Sequence, residues 1–97
     1  MMENIIANLN KVFDSRIRLG IMSILSVNDA VDFNTMKELL ELTDGNLASH
    51  LKALENIDYI RSSKQFIGRK PNTKYHITGL GKHDFKEHLD ALEKFIL

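Results

Sequence analysis

Residues 34–54, Asn34-Thr-Met-Lys-Glu-Leu-Leu-Glu-Leu-Thr-Asp-Gly-Asn-Leu-Ala-Ser-His-Leu-Lys-Ala-Leu54, constrain this chain more than any other stretch. Apolar residues recur at helical spacing before and after Thr43, so the segment reads as two short amphipathic helices joined by a tight turn. In the first helix Asn34 is the expected cap, and Met36, Leu39 and Leu40 are the expected core residues. Thr43 is expected to cap the second, which runs from residue 44 to about residue 57. At about 100° per residue, Leu47, Leu51 and Leu54 fall within a narrow arc of that helix. The opposite side collects Gly45, Ser49, Lys52 and Asn56, with Asn46 and Ala53 on its shoulder. His50 lies about 70° off the leucine arc, a boundary position that predicts a packed or hydrogen-bonded ring.

The flanks read as follows. Ile5, Leu9 and Val12 predict a first helix over residues 3–12. Asp14 or Ser15 can cap a second, running to about Val27, with Ile17, Ile21, Met22, Ile24 and Leu25 on a broad apolar face. Asn28-Asp29 breaks it, and residues 30–33 leave room only for a loop or a brief edge strand. Residues 59–67 have the β-branched and aromatic content of a strand, and residues 73–77 return as another. Residues 68–72 are turn-rich, with Pro71 expected in the connection because proline cannot donate to a ladder. Thr78 can cap a last helix, in which Phe85, Leu89, Leu92 and Ile96 make a heptad-like seam widened by Phe95.

With 97 residues there is room for one domain, spanning residues 1–97, whose core is modest. A second subunit would supply further apolar contact. No cysteine is present, which excludes disulfides, thiolate ligands and cysteine nucleophiles. Ile5-Ile6 is too short for a signal or membrane segment, so a cytoplasmic location is the default expectation. Formal net charge is zero, yet its distribution is uneven. Over residues 44–82, Lys52, Arg61, Lys64, Arg69, Lys70, Lys74 and Lys82 face only Asp44, Glu55 and Asp58, whereas both ends are acidic. A localised anion-facing surface follows.

The polar face of residues 44–57 suits the major groove of double-stranded DNA. Asn46 can bond adenine bidentately, Lys52 can reach guanine or phosphate, and Ser49 can serve base or backbone. Gly45 and Ala48 lack bulk, so the helix N-terminus capped by Thr43 could approach a phosphate closely, its free amides favouring the anion. The competing account is an ordinary solvated face. Arg69 and Lys70, with Lys64 and Lys74 on the flanking strands, make a second cationic surface able to follow phosphates or enter the minor groove. Lysines that merely protect a hairpin edge are the alternative. Ser15, Arg16 and Arg18 could contact phosphate from the side, unless Asp14 or Asp32 pairs with the arginines. His76, His83 and His88 raise a metal site, with His83–Glu87 and Asp84–His88 at i, i+4, but no third convergent ligand is evident. Ser49 and His50 are helix neighbours that diverge, so no nucleophile and base meet. Neither catalysis nor a cofactor is implied.

Several motifs taken together resemble the small stand-alone winged-helix transcriptional regulators of the ArsR and MarR type. They are Ser15-Arg-Ile-Arg18, Leu42-Thr-Asp-Gly-Asn-Leu-Ala-Ser-His-Leu51, Leu54-Glu-Asn-Ile-Asp-Tyr-Ile60, Phe66-Ile-Gly-Arg-Lys-Pro71 and Tyr75-His-Ile-Thr78 with Gly81. The resemblance implies an α+β winged helix-turn-helix with a two- or three-stranded wing, and a homodimer on a roughly palindromic operator, usually a repressor. The Cys-containing metal motif of many ArsR-type sensors is missing, so effector sensing is not carried over. Ile5, Leu9 and Val12 with Phe85, Leu89, Leu92 and Ile96 are the expected two-fold interface. The other readings are a winged helix used for protein contact and a metal- or ligand-responsive sensor.

Overall fold

The computed structural model describes residues 5–96, with the side chain of Ile5 outside that description. Two 3₁₀ turns, Ile5–Asn8 and Lys11–Phe13, stand where one helix was expected. Asn10 is the reason. Its backbone is extended (φ −91°, ψ 118°), and its side chain caps the second turn by accepting the Val12 N–H at 3.0 Å. The Asn10 N–H donates to His88 Nδ1 at 3.0 Å, and its side-chain amide donates to the Tyr59 hydroxyl at 2.8 Å. Those partners lie far along the chain and outcompete an i to i−4 ladder.

Ser15 then caps helix α1 (Arg16–Ser26), accepting the Arg18 N–H at 3.3 Å. A two-residue strand β1 (Val31–Asp32) leads into α2 (Phe33–Leu40). The cap of α2 is Asp32, whose carboxylate accepts the Thr35 N–H at 2.7 Å, and not Asn34. Asp32 keeps the extended backbone of the strand it ends, which is the conformation a cap requires. Leu39, expected in the core, is 62% exposed, while Met36 is fully enclosed. Helix α3 (Asp44–Asn56) begins at Thr43, whose hydroxyl accepts the Asn46 N–H at 3.2 Å.

Strands β2 (Ile60–Ile67) and β3 (Lys70–Ile77) form an antiparallel hairpin, and β1 joins the free edge of β3 at its base, giving the order β1-β3-β2. The turn is only Gly68-Arg69, and Gly68 has the positive φ (64°) that a two-residue hairpin of this kind demands at its first position. Pro71 therefore sits inside the ladder opposite Phe66, a correction to the expected connection. Ile67 and Lys70 close the turn, so by alternation Phe66 and Pro71 are a non-hydrogen-bonded pair. The missing proline N–H faces outward at a point β1, which reaches only Lys74 and Tyr75, does not cover. No ladder bond is lost.

Helix α4 (Gly79–Ile96) starts at Thr78, which accepts the Gly81 N–H at 2.9 Å. One core joins Phe13, Ile21, Met22, Leu25, Met36, Leu47, Leu51, Leu54, Ile60 and Phe85. Phe13 stacks on Tyr59 at 5.6 Å and meets Phe85 edge-on at 5.3 Å. The inward face of α4 is thus Gly81, Phe85, His88 and Ala91, and Phe85 belongs to its own subunit's core. Leu89, Leu92 and Ile96 of the expected seam are exposed. Gly81 permits this packing. A Cβ there would overlap the Tyr59 carbonyl oxygen.

Candidate nucleic-acid interface

The turn between α2 and α3 is made by a residue that is not glycine. Glu41 adopts left-handed backbone (φ 53°), its N–H reaching the Glu38 carbonyl at 3.3 Å and the Leu42 N–H the Lys37 carbonyl at 3.1 Å. Helix α3 ends the same way at Asp58 (φ 62°), with Asp58 N–H to Glu55 O and Tyr59 N–H to Leu54 O, both 3.0 Å. This is the Schellman pattern, in which the last carbonyls find donors and an apolar pair, here Leu54 and Tyr59, closes the end. Two such stops fix where α3 begins and where the strand after it departs.

Within that frame Leu47, Leu51 and Leu54 are enclosed, and Gly45, Asn46, Ser49 and Lys52 are exposed. Thr43 is also exposed, although its hydroxyl serves the cap. Two polar contacts fix the helix to its neighbours. Lys37 Nζ on α2 lies 2.9 Å from the Asp44 carboxylate, neutralising the acid in the first turn of α3. Arg18 Nε on α1 donates to His50 Nδ1 at 3.1 Å. Neither Asp14 nor Asp32 takes that bond, so Arg18 positions α3 through His50, and His50 is hydrogen-bonded as its boundary position predicts. Arg16 is exposed beside an open groove of about 390 Å³ lined by Ile17, Leu39, Leu40 and Leu42.

The β2–β3 hairpin carries Arg61, Lys64, Arg69, Lys70 and Lys74 and no carboxylate. Every residue from Arg61 to Pro71 is exposed. Lys74 differs from the others, being half-buried and opposite Asp32 in the ladder. The Thr35 hydrogen bonds hold the Asp32 carboxyl below its ordinary value, and the charge of Lys74 adds to them. Part of the Lys74 field is thereby absorbed inside the fold. Lys64, Arg69 and Lys70 keep theirs for solvent.

The histidines separate. His83 contacts Asp84 at 3.0 Å and Glu87 at 3.5 Å on the surface of α4. The Asp84 hydrogen bond, followed by the Glu87 charge, raises the His83 pKa. His88 is buried against Phe13, its Nδ1 occupied by the Asn10 N–H. Its place in the helix, one turn from Asp84, carries no sign of the N-terminal segment that folds over it. His76 stands apart on β3. Among the described residues no cluster of three or more His, Asp or Glu side chains could hold a metal. The Tyr59 hydroxyl, buried and donating to Asp84 at 2.6 Å, has its pKa raised by burial first and by Asp84 second. That clamp was not legible in sequence, since its members are separated by tens of residues.

A capped helix with a small polar outer face, preceded by a short helix and followed by a cationic two-stranded hairpin, defines a winged helix-turn-helix protein. A family model described as the winged helix DNA-binding domain matches residues 17–96, and the chain belongs to that family of DNA-binding transcriptional regulators, which are not enzymes. An uncharacterized protein of Methanocaldococcus jannaschii is 38% identical over 79 residues, covering 81% of this chain and 86% of the relative. The solved structure of a transcriptional regulator homologue from Pyrococcus horikoshii is 33% identical, with a TM-score of 0.76 over 89% of this chain and 90% of that one. Reduced AbfR bound to DNA shares the fold at a TM-score of 0.73 and 16% identity, matching 82% of this chain and 55% of AbfR. No helix among the described residues is long and apolar enough to cross a membrane.

Proposed function

We propose that the protein is a sequence-specific transcriptional repressor that binds duplex DNA in the cytoplasm as a homodimer. The observation that carries this reading is the exposed row Gly45, Asn46, Ser49 and Lys52 on a helix whose other side is locked into the core. Small residues at its start let the backbone approach, and the side chains that follow match base edges. The wing cations Lys64, Arg69 and Lys70 add phosphate contacts, with Lys74 contributing less. Arg16, exposed at the start of α1, and its neighbour Ser15 would contact the flanking backbone. AbfR, which shares this fold, has been solved bound to DNA, and duplex DNA is proposed here as the partner on that likeness.

The dimer is proposed through the terminal segments. Leu89, Leu92, Phe95 and Ile96 expose an apolar face on α4, and the 3₁₀ turn at Ile5–Asn8 packs along that helix. Leu9 and Val12 are half-buried beside it, while the Ile5 side chain lies outside the described residues. Two copies related by a two-fold axis would place two α3 helices in successive major grooves about one turn apart.

Selection from random duplex DNA followed by footprinting tests both points, with a symmetric protected site expected. On the selected site, Arg69→Ala and Lys70→Ala should weaken binding to all sequences and reduce the salt dependence by about one counterion each. Asn46→Ala and Ser49→Ala should change the preferred bases, at about 1–3 kcal/mol per lost base contact. If all four variants bind like the parent, the surface is wrongly assigned.

A further inference from the structure

We propose that Phe66, braced by Pro71, is an apolar wedge that enters the DNA minor groove and partly unstacks one base step. The protein would then read the deformability of the flanking duplex as well as the bases its helix touches. This rests on the duplex-binding reading above and adds to it a residue of a different chemistry.

Phe66 is 74% exposed at the tip of a hairpin whose fold makes no use of its ring. Its cross-strand partner is Pro71, and in a non-hydrogen-bonded pair the two side chains approach more closely than elsewhere in the ladder. A proline with fixed φ beside it stiffens the base from which the ring projects. Ile67, also exposed, points to the other face of the ribbon. Lys64 precedes Phe66 on the same face, and Arg69 and Lys70 follow at the turn, so cations surround the apolar tip.

That charge pattern selects the occupant. A groove with anionic walls and a floor of sugars and stacked bases complements an aromatic ring ringed by lysine and arginine. The exposed apolar face of α4, Leu89, Leu92, Phe95 and Ile96, has instead a mixed border, with Asp90 paired to Lys86 and Glu93 beside Lys94, which offers phosphate no net attraction. The recognition face of α3 contains no large apolar side chain, so the wing is where an intercalating contact is available. Pyrimidine–purine steps, the most easily unstacked, are the expected preference beneath the wing.

The test uses the full chain on its selected duplex, comparing the parent with Phe66→Ala, Phe66→Leu and Arg69→Ala. Affinity is read across a salt series, bending by energy transfer between labelled duplex ends, and unstacking by permanganate reactivity of thymines. Phe66→Ala should weaken binding about tenfold at every salt concentration, leave the salt slope unchanged, and abolish the bend and the reactive thymine. Phe66→Leu should keep most of each signal, whereas Arg69→Ala should lower the slope. Since Phe66 supports no core, circular dichroism should show all variants folded. A parent that binds no duplex overturns the function and the wedge together. A parent that binds while Phe66→Ala matches it in affinity, bend and thymine reactivity overturns the wedge alone. Loss of self-association in Phe66→Ala with DNA binding intact overturns it in favour of a protein contact.

Discussion

Helix α3 and the β2–β3 hairpin both present cations to solvent, but they are held by different forces. Three enclosed leucines, the Arg18–His50 hydrogen bond, the Lys37–Asp44 pair and a Schellman stop all fix α3 against the rest of the chain. Beyond its first residue, β2 is exposed along its length and is held by its ladder to β3 and little else. A base-reading surface needs positions fixed to within a fraction of an ångström, and α3 has the packing to supply them. A phosphate-following or groove-deforming surface tolerates, and gains from, an arm that can adjust. Affinity and sequence discrimination should therefore separate between the two regions.

The largest effect expected from this contrast is in stability. Leu51→Ala should cost about 2–5 kcal/mol, because an enclosed leucine leaves a cavity. Ile67→Ala, with the same loss of apolar atoms, should stay within about 0.5 kcal/mol. Urea denaturation measures both, and equal losses would mean that the hairpin tip is part of the cooperative core. Gly81→Ala comes next. Its Cβ would meet Tyr59 backbone rather than a movable side chain, so about 1–3 kcal/mol of overpacking is expected in thermal denaturation. A neutral outcome would show that α4 can slide away from the end of α3.

A smaller effect sharpens the account of the helix N-terminus. Lys37→Ala removes an exposed pair worth about 0.2–1 kcal/mol to folding. It also leaves the Asp44 charge uncompensated where DNA phosphate is proposed to lie, so DNA affinity should fall by more than stability does. Adding Asp44→Asn should restore binding in a filter or anisotropy assay. If the double variant binds no better than Lys37→Ala alone, Lys37 acts on DNA directly.

What could be read in advance follows the same division. Periodicity and capping residues placed α1, α3 and α4 and the caps Thr43 and Thr78, and narrowed the α1 cap to Asp14 or Ser15, because those signals lie within a few residues of each other. The outward face of α3 was legible for the same reason, its leucines marking the inward side. Asn10 was not, since its partners Tyr59 and His88 are brought to it only by the finished fold. Likewise one member of the seam on α4, Phe85, belongs to the core of its own subunit, which the helical pattern alone does not reveal. Phe85 and Leu89 share a stripe on a helical wheel, but the N-terminal turns cover Phe85, His88 and Ala91 and leave Leu89 outside. Pro71 misled for an instructive reason: the rule against proline in a ladder applies to donors that face a partner, and register decides which those are.

The smallest expected effect is in the pH dependence of folding, and it should belong to the body of the protein alone. Asp84 has its pKa held below the ordinary 3.8, first by the Tyr59 hydroxyl and then by His83. The unfolded chain therefore takes up that proton at higher pH than the folded one, so the contribution is present above 3.8 and is lost as pH falls through the lowered value. His83 has its pKa raised above 6.5, first by its Asp84 bond, so its contribution is full below 6.5 and is lost as pH rises through the raised value. The pair accordingly supports folding most between those two ordinary values. Urea midpoints measured across this range should fall at both ends for the parent, and Asp84→Asn should flatten the alkaline limb and soften the acid one. Asp32, whose pKa is also lowered, keeps part of the acid limb in place. Phe66→Ala should reproduce the parent profile, because the hairpin tip carries none of these groups. A hairpin variant that altered the profile, or an Asp84→Asn variant that did not, would join the two regions that the packing separates.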